Sequence, residues 1–81
     1  MVTVYAIISL VNGMIYVGMA VDPDKRLLQH NAGKSKFTKG YKPWKMFYSE
    51  QAADWKAGRC REKYLKSGAG KEFLRSLIKN D

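Results

Sequence analysis

Residues 5–18 read YAIISLVNGMIYVG: two apolar runs, a tyrosine near the start of the first and another near the end of the second, split by Asn12-Gly13. The runs, Val2 to Val11 and Met14 to Ala20, are rich in Val, Ile, Leu and Tyr, side chains that suit a pleated, half-buried surface. Asn-Gly suits a type I′ hairpin turn, whose two central residues both need positive φ. A two-residue turn is therefore predicted, pairing Val11 with Met14, Ser9 with Tyr16, Ile7 with Gly18 and Tyr5 with Ala20. Strand alternation then sorts the side chains. Val4, Ala6, Ile8, Leu10, Ile15, Val17 and Met19 make an apolar core face, and Tyr5, Ser9, Tyr16, Gly18 and Ala20 make the other. Both tyrosines fall on that second face, where small neighbours leave a shallow space. A four-residue loop is expected to give the same register, whereas a three-residue loop would shift it by one and separate the tyrosines. From the hairpin alone two readings stand: the tyrosines cover a second packed face, or they belong to a site.

Beyond the hairpin, Asp22-Pro23 opens a helix with an Asp N-cap, a proline at the first helical position and Asp24 at the positive end of the dipole. It is predicted to end near Gly33. Arg26 and His30, four apart, share one face, with Leu27 and Leu28 directed at the sheet. The loop KSKFTKGYK, residues 34–42, alternates lysines with Phe37 and Tyr41, a mixture that tracks a phosphate backbone and can stack on bases. Pro43 opens a third strand, Trp44 to Ser49, where proline does least harm to a ladder. Asp54 caps a helix from Trp55 to about Lys66, closed by Ser67-Gly68, and a last helix runs from about Gly70 to Lys79 with Phe73, Leu74, Leu77 and Ile78 as its apolar stripe. In the middle helix the apolar count puts Ala57, Cys60, Tyr64 and Leu65 on the buried side. Glu62 then falls opposite, beside Gly58, Arg59 and Lys66, and taken alone it is half of an exposed pair with Lys66. An interior helix glycine costs roughly 1 kcal/mol against alanine, so a close approach to the backbone is expected at Gly58.

With 81 residues, 46% of them hydrophobic, five tyrosines, three phenylalanines and two tryptophans, the chain fits one folded domain over 1–81. The lone Cys60 can build neither an intrachain disulfide nor a structural zinc site, which suits a reducing cytoplasm. The start, MVTVYAIISL, lacks the basic region and cleavage site of a signal peptide and is read as a strand. No apolar stretch approaches the roughly 18 to 20 residues of a membrane span, so no membrane partner is expected. Fifteen Lys and Arg against seven Asp and Glu leave a formal charge of +8, which attracts polyanions. Nucleic acid is the leading partner, and plain solubility the alternative.

In order and spacing these elements resemble the GIY-YIG nuclease superfamily, particularly its small single-domain members similar to the nuclease domain of the bacterial excision-repair incision subunit. The first family motif stands as Thr3-Val4-Tyr5 and the second as Tyr16-Val17-Gly18, with ten residues between the two tyrosines. Arg26 in DPDKRLLQHNAG matches the family's helix arginine, and His30 stands where many members have histidine or tyrosine. KPWKMFYSE resembles the third strand and GRCREKYLKSGAGKE the glutamate helix, which places an acidic metal ligand at Glu62. Two positions depart from the pattern: Thr3 replaces the usual glycine, and Leu74 holds a place where some members carry asparagine.

The resemblance implies an α/β (α+β) fold, a three-stranded mainly antiparallel sheet flanked by three or more helices. It also implies a metal-dependent endonuclease, with DNA preferred, that leaves 3′-hydroxyl and 5′-phosphate ends. Low sequence specificity and a cytoplasmic setting such as DNA repair are expected. One Mg²⁺ or Mn²⁺ on Glu62 would be the only cofactor. Tyr5 would take the proton of the attacking water. Since a free tyrosine of pKa near 10 is only about 0.1% phenolate at neutral pH, Arg26 and the metal are expected to lower it, with a neutral His30 accepting the proton in turn. Arg26 would grip a non-bridging phosphate oxygen in its fork geometry, Tyr16 would donate to the same phosphate, and Gly18, Lys34, Lys36, Lys39 and Lys71 would line the nucleic acid. Two rivals remain: a non-catalytic nucleic-acid-binding module of the same fold, and a protein-interaction domain presenting Trp44, Trp55 and Tyr64.

Overall fold

The computed structural model describes residues 1–78. Strands β1 (Val2–Ser9), β2 (Ile15–Ala20) and β3 (Trp44–Ala52) form one sheet in the order β2-β1-β3, with both pairings antiparallel. Helices α1 (Pro23–Asn31), α2 (Trp55–Lys66) and α3 (Gly68–Ile78) pack around it, and a short 3-10 turn, Lys39–Tyr41, sits in the basic loop. Lys79, the expected end of the last helix, lies outside the described residues.

The hairpin closes through a four-residue loop, Leu10 to Gly13. Ser9 N–H donates to the Met14 carbonyl and Gly13 N–H to the Ser9 carbonyl, each at 2.9 Å. Only Gly13 takes positive φ, at 77°, whereas a type I′ turn needs Asn12 there too. The Ser9 hydroxyl instead accepts from Val11 N–H and Asn12 N–H, and Asn12 Oδ1 accepts from Met14 N–H, which folds the wider loop. The register therefore moves by two residues, contrary to the expectation that either loop gives the same pairing. Tyr5 faces Gly18, Ile7 faces Tyr16 and Thr3 faces Ala20. A slide of two leaves every side chain on its expected face, so the two tyrosines stay together.

Because β1 is the central strand, both of its faces are buried. On one, Val4, Ala6 and Val17 meet Leu65 of α2 and Leu74 of α3 in an aliphatic core, with Ile15, Met19, Phe47 and Tyr48 at its margin. On the other, Tyr5, Ile7 and Trp44 are buried with Tyr16, Leu27, Tyr41 and Met46 against them. That second face is thus a packed core and not the shallow open space expected. Leu10, assigned to the core face, instead sits exposed at the hairpin tip. A register shift in β3 opposite Ala6 and Ile7 inserts Phe47 as an extra residue, so Phe47 and Tyr48 both turn to the aliphatic side while Met46 and Trp44 turn to the other. Strand β3 also runs three residues past the expected Ser49.

Helix α1 begins as its residues dictate. The Asp22 side chain accepts from Lys25 N–H at 3.1 Å, Pro23 occupies the first turn, and Gly33 at φ 79° follows the end. Leu27 packs inward but Leu28 is 70% exposed, because successive helical residues point about 100° apart and a short helix shows only one of them to the sheet. In α2 the predicted buried face holds only at Leu65. Gly58 and Leu65 are buried, whereas Ala57, Cys60 and Tyr64 are exposed. A Cβ on Gly58 would lie 3.0 Å from Val2 Cγ1 and 3.3 Å from Met19 Sδ. The smallest residue, not the count of apolar ones, sets which side of this helix seats on the sheet, and it turns Glu62, one turn on, inward. Helix α3 docks the same way, through Gly70 against the backbone of Tyr64 and Leu65. Its stripe is half covered: Leu74 is buried, and Phe73 lies edge-on to Tyr48 at 5.5 Å.

Candidate active site

On the aromatic side of the sheet, a buried hydrogen-bonded chain links three elements. The Tyr5 hydroxyl from β1 lies 2.9 Å from His30 Nε2 on α1, His30 Nδ1 lies 2.7 Å from Thr38 Oγ1 in the basic loop, and the Thr38 carbonyl accepts the Trp44 indole N–H at 2.8 Å. Tyr5, His30, Thr38 and Trp44 are all buried. Unpaired polar groups in such a place would cost about 1–3 kcal/mol each, so the chain orders the loop onto the helix. Asn31 adds to this, accepting from Trp44 N–H and donating to the Trp44 carbonyl.

Gly18 explains how the phenol fits. A Cβ there would stand 2.7 Å from the Tyr5 hydroxyl oxygen, 2.8 Å from Cζ and 3.2 Å from Tyr16 Cε2. The residue expected to touch nucleic acid is instead buried, and its contribution is the room that it leaves for the two rings. Tyr16, half-buried on the edge strand, has its ring centroid 5.2 Å from His30, 5.6 Å from Phe37 and 6.4 Å from Trp44. It is partly open to solvent where Tyr5 and His30 are not.

The protein's own groups do not supply the expected lowering of Tyr5. Burial pushes the Tyr5 phenol up to about 12, the neighbouring Tyr16 adds to the rise, the Arg26 guanidinium opposes it, and the Glu62 carboxylate raises it further. Desolvation of the phenolate outweighs the single cation beside it, so Arg26 alone does not lower Tyr5, and the rest of the expected lowering falls to a bound metal. His30 is held below its ordinary value, first by burial and then by Arg26, and is neutral at pH 7. Arg26 is half-buried and donates to Gln29 Oε1 at 2.9 Å.

Glu62 is turned toward the sheet, its charge felt at Tyr5, and it forms an ion pair with Lys66 at 3.3 Å. Arg26, His30, Tyr5 and Tyr16 are thus gathered in one place, with Glu62 on α2, the helix that packs on the opposite side of the sheet. Among the described residues no three His, Cys, Asp or Glu side chains cluster to hold a metal. The donor set is one carboxylate, which suits a hard cation that keeps most of its water and takes phosphate oxygens for the rest. Lys34, Lys36 and Lys39 are exposed along the basic loop, and Lys71 joins Lys66 beside a cleft next to Tyr16.

Thr38 was missed by sequence reasoning, since a threonine among lysines and aromatics carries no local signal. Trp44, proposed for a contact surface, is buried with its N–H bonded, so only Trp55 and Tyr64 of that trio face outward.

A small antiparallel sheet, with a tyrosine, a histidine and an arginine on one side and a glutamate helix packed on the other, makes a compact α/β domain. The family model of the GIY-YIG catalytic domain matches residues 1–73, and the chain belongs to that family. No curated protein and no solved structure matches it. Membership places the protein among nucleases, enzymes that act on nucleic acid and generally depend on a metal. The match is to the family as a whole and gives no support to a particular likeness to the excision-repair incision subunit. No helix among the described residues is long and apolar enough to cross a membrane.

Proposed function

We propose that the protein is an endonuclease that hydrolyses phosphodiester bonds in DNA, with Tyr5, Tyr16, Arg26, His30 and Glu62 as its working residues. The observation that carries this is the 2.9 Å contact between Tyr5 and a neutral, buried His30, with Arg26 and Glu62 both acting on the same phenol. With the protein's own groups holding the Tyr5 pKa at about 12, only about one Tyr5 in 100,000 is phenolate at pH 7, so in the metal-free protein a standing phenolate is not the base. The phenol oxygen instead takes the proton of the attacking water while its own proton passes to His30 Nε2. That direction requires the Nδ1–H tautomer, donating to Thr38 Oγ1. As the water oxygen bonds to phosphorus, the bond to the 3′ oxygen breaks, and solvent protonates that oxygen. The products are a 3′-hydroxyl and a 5′-phosphate.

Arg26 holds a non-bridging oxygen through its planar fork, and Tyr16 donates to the same phosphate. Glu62 is the residue that would hold one Mg²⁺ or Mn²⁺, whose charge, when bound, supports the departing oxygen. All of these groups address phosphate and none addresses base edges, so intrinsic sequence specificity is low. The net charge of +8 supports binding along the backbone through the loop lysines.

Incubating plasmid DNA with Mg²⁺ or Mn²⁺, beside a Glu62→Ala control, tests the reading. Cutting by the parent and none by the control is expected, with 5′ ends that label only after phosphatase treatment. Equal cutting by the control points to a contaminant. Salt-sensitive binding without cutting by either protein would establish the rival, a non-catalytic binding module.

A further inference from the structure

Beside the tyrosines lies a cleft of about 330 Å³ lined by Ile15, Tyr16, Val17, Phe37, Lys66 and Lys71. Its composition is unusual for a bare surface hollow. The edge strand β2 supplies aliphatic side chains, two aromatic rings make a wall, and two ammonium groups stand among them. Phe37 is 57% exposed, although it belongs to a basic loop with no apolar neighbours in sequence. Its ring is nonetheless held in place, 5.6 Å from Tyr16 and 6.3 Å from Tyr41 between centroids. A fixed aromatic face open to solvent, with cations within the same cleft, matches a planar ring carrying anionic groups.

We infer that this cleft is a subsite for one unpaired nucleobase, stacked on Phe37 and Tyr16, with its flanking phosphates on Lys66 and Lys71. Resting on the nuclease reading, it names the substrate: DNA with an extrahelical or single-stranded nucleotide near the bond that is cut. Three features support the choice. The volume lies at the small end of the roughly 300–1,000 Å³ of ligand sites and suffices for one base. A purely apolar ligand would have no use for two lysines, and an inorganic anion none for the stacking wall. Tyr16 lines both this cleft and the proposed site, and Lys66 pairs with Glu62, so a base seated here brings its own phosphate toward the Tyr5 side.

The test is binding, measured by fluorescence anisotropy in EDTA so that nothing is cut. The probes are a fully paired duplex, the same duplex with a one-nucleotide bulge, that bulge with the base removed, and a single strand with and without one abasic site. Base–aromatic stacking predicts roughly tenfold tighter binding of the bulge than of its abasic counterpart. That gap should vanish in Phe37→Ala and persist in Phe37→Tyr, with circular dichroism unchanged. A gap in the bulge pair alone identifies an extrahelical base as the ligand, and a gap in the single-strand pair extends it to free strands. Equal affinity for base and abasic probes, or a gap that survives Phe37→Ala, overturns the inference while leaving the nuclease reading intact. A gap in a protein that never cuts plasmid keeps the subsite and removes the nuclease. Failure to bind any probe removes both.

Discussion

The two faces of β1 are built from the same strand and to opposite plans. Under α2 and α3, Val4, Ala6, Val17, Leu65 and Leu74 fill space with side chains that have no hydrogen-bonding capacity. On the α1 side, Tyr5, His30, Thr38 and Trp44 are just as thoroughly buried, yet each polar atom is spoken for by a neighbour. The first face stabilises by excluded water and contact, the second by geometry. The lesson is that burial in this protein has two meanings: where it is aliphatic it holds the fold, and where it is polar it fixes protonation states. Substitutions should therefore separate stability from cutting according to face.

The largest separation is expected at Tyr5→Phe. It should lower the cutting rate by roughly 100- to 10,000-fold, the span of a lost general base, while leaving buried His30 Nε2 without its partner at a cost of about 1–3 kcal/mol. Measured rates and urea midpoints together decide it, and a midpoint that collapses alongside the rate would break the contrast. Next, Leu65→Ala on the aliphatic face should cost about 2–5 kcal/mol in unfolding free energy, while any protein that remains folded at low temperature cuts at near-parental rate. Thr38→Val should sit between the two kinds. It leaves His30 Nδ1 without its partner at a cost of about 1–3 kcal/mol, and it frees the tautomer, so the pH profile of cutting should change as well as the melting temperature.

Titration sharpens the same comparison. The Tyr5 pKa is raised from 10.0 to about 12, so the folded chain holds this proton more tightly than the unfolded one. The stability it confers is complete below pH 10 and disappears as pH climbs from there to 12, worth about 2–3 kcal/mol in total. The difference between parent and Tyr5→Phe unfolding curves isolates it from the lysines. His30 runs the other way, because its folded value is depressed below 6.5. Stability is full above pH 6.5 and declines on acidification from there down to the folded value, and cutting should fall with it as His30 loses its free acceptor. The smallest effect is expected at Lys66→Ala, where an i,i+4 pair between an exposed lysine and a half-buried glutamate contributes about 0.2–0.5 kcal/mol. A much larger loss would mean that the ion pair also holds the helix in place.

Much of this arrangement was legible in advance, for identifiable reasons. Alternation along β1 and β2 put Tyr5 and Tyr16 on one face, and a period of two made that result immune to the error in the loop. Asp22-Pro23 and Asp54 announced their helices because caps are local chemistry. What escaped was set by tertiary contact. The turn at Asn12-Gly13 widened because the Ser9 hydroxyl, three residues upstream of Asn12, captured the backbone. The inward face of α2 was misjudged because an apolar tally ignores how closely Gly58 lets the helix approach Val2 and Met19. Thr38 became visible only once the loop was seen folded over His30, and the upward shift of Tyr5 only once its burial was known.

Gly58 has a practical corollary. The standoff between α2 and the sheet equals the thickness of a missing side chain, so this position works as an adjustable shim under the carboxylate. Exchanging hydrogen for methyl there, and methyl for hydroxymethyl, would lift Glu62 away from the phenol in small graded steps. Such a series would convert an all-or-none deletion of the acid into a calibration of reach against rate.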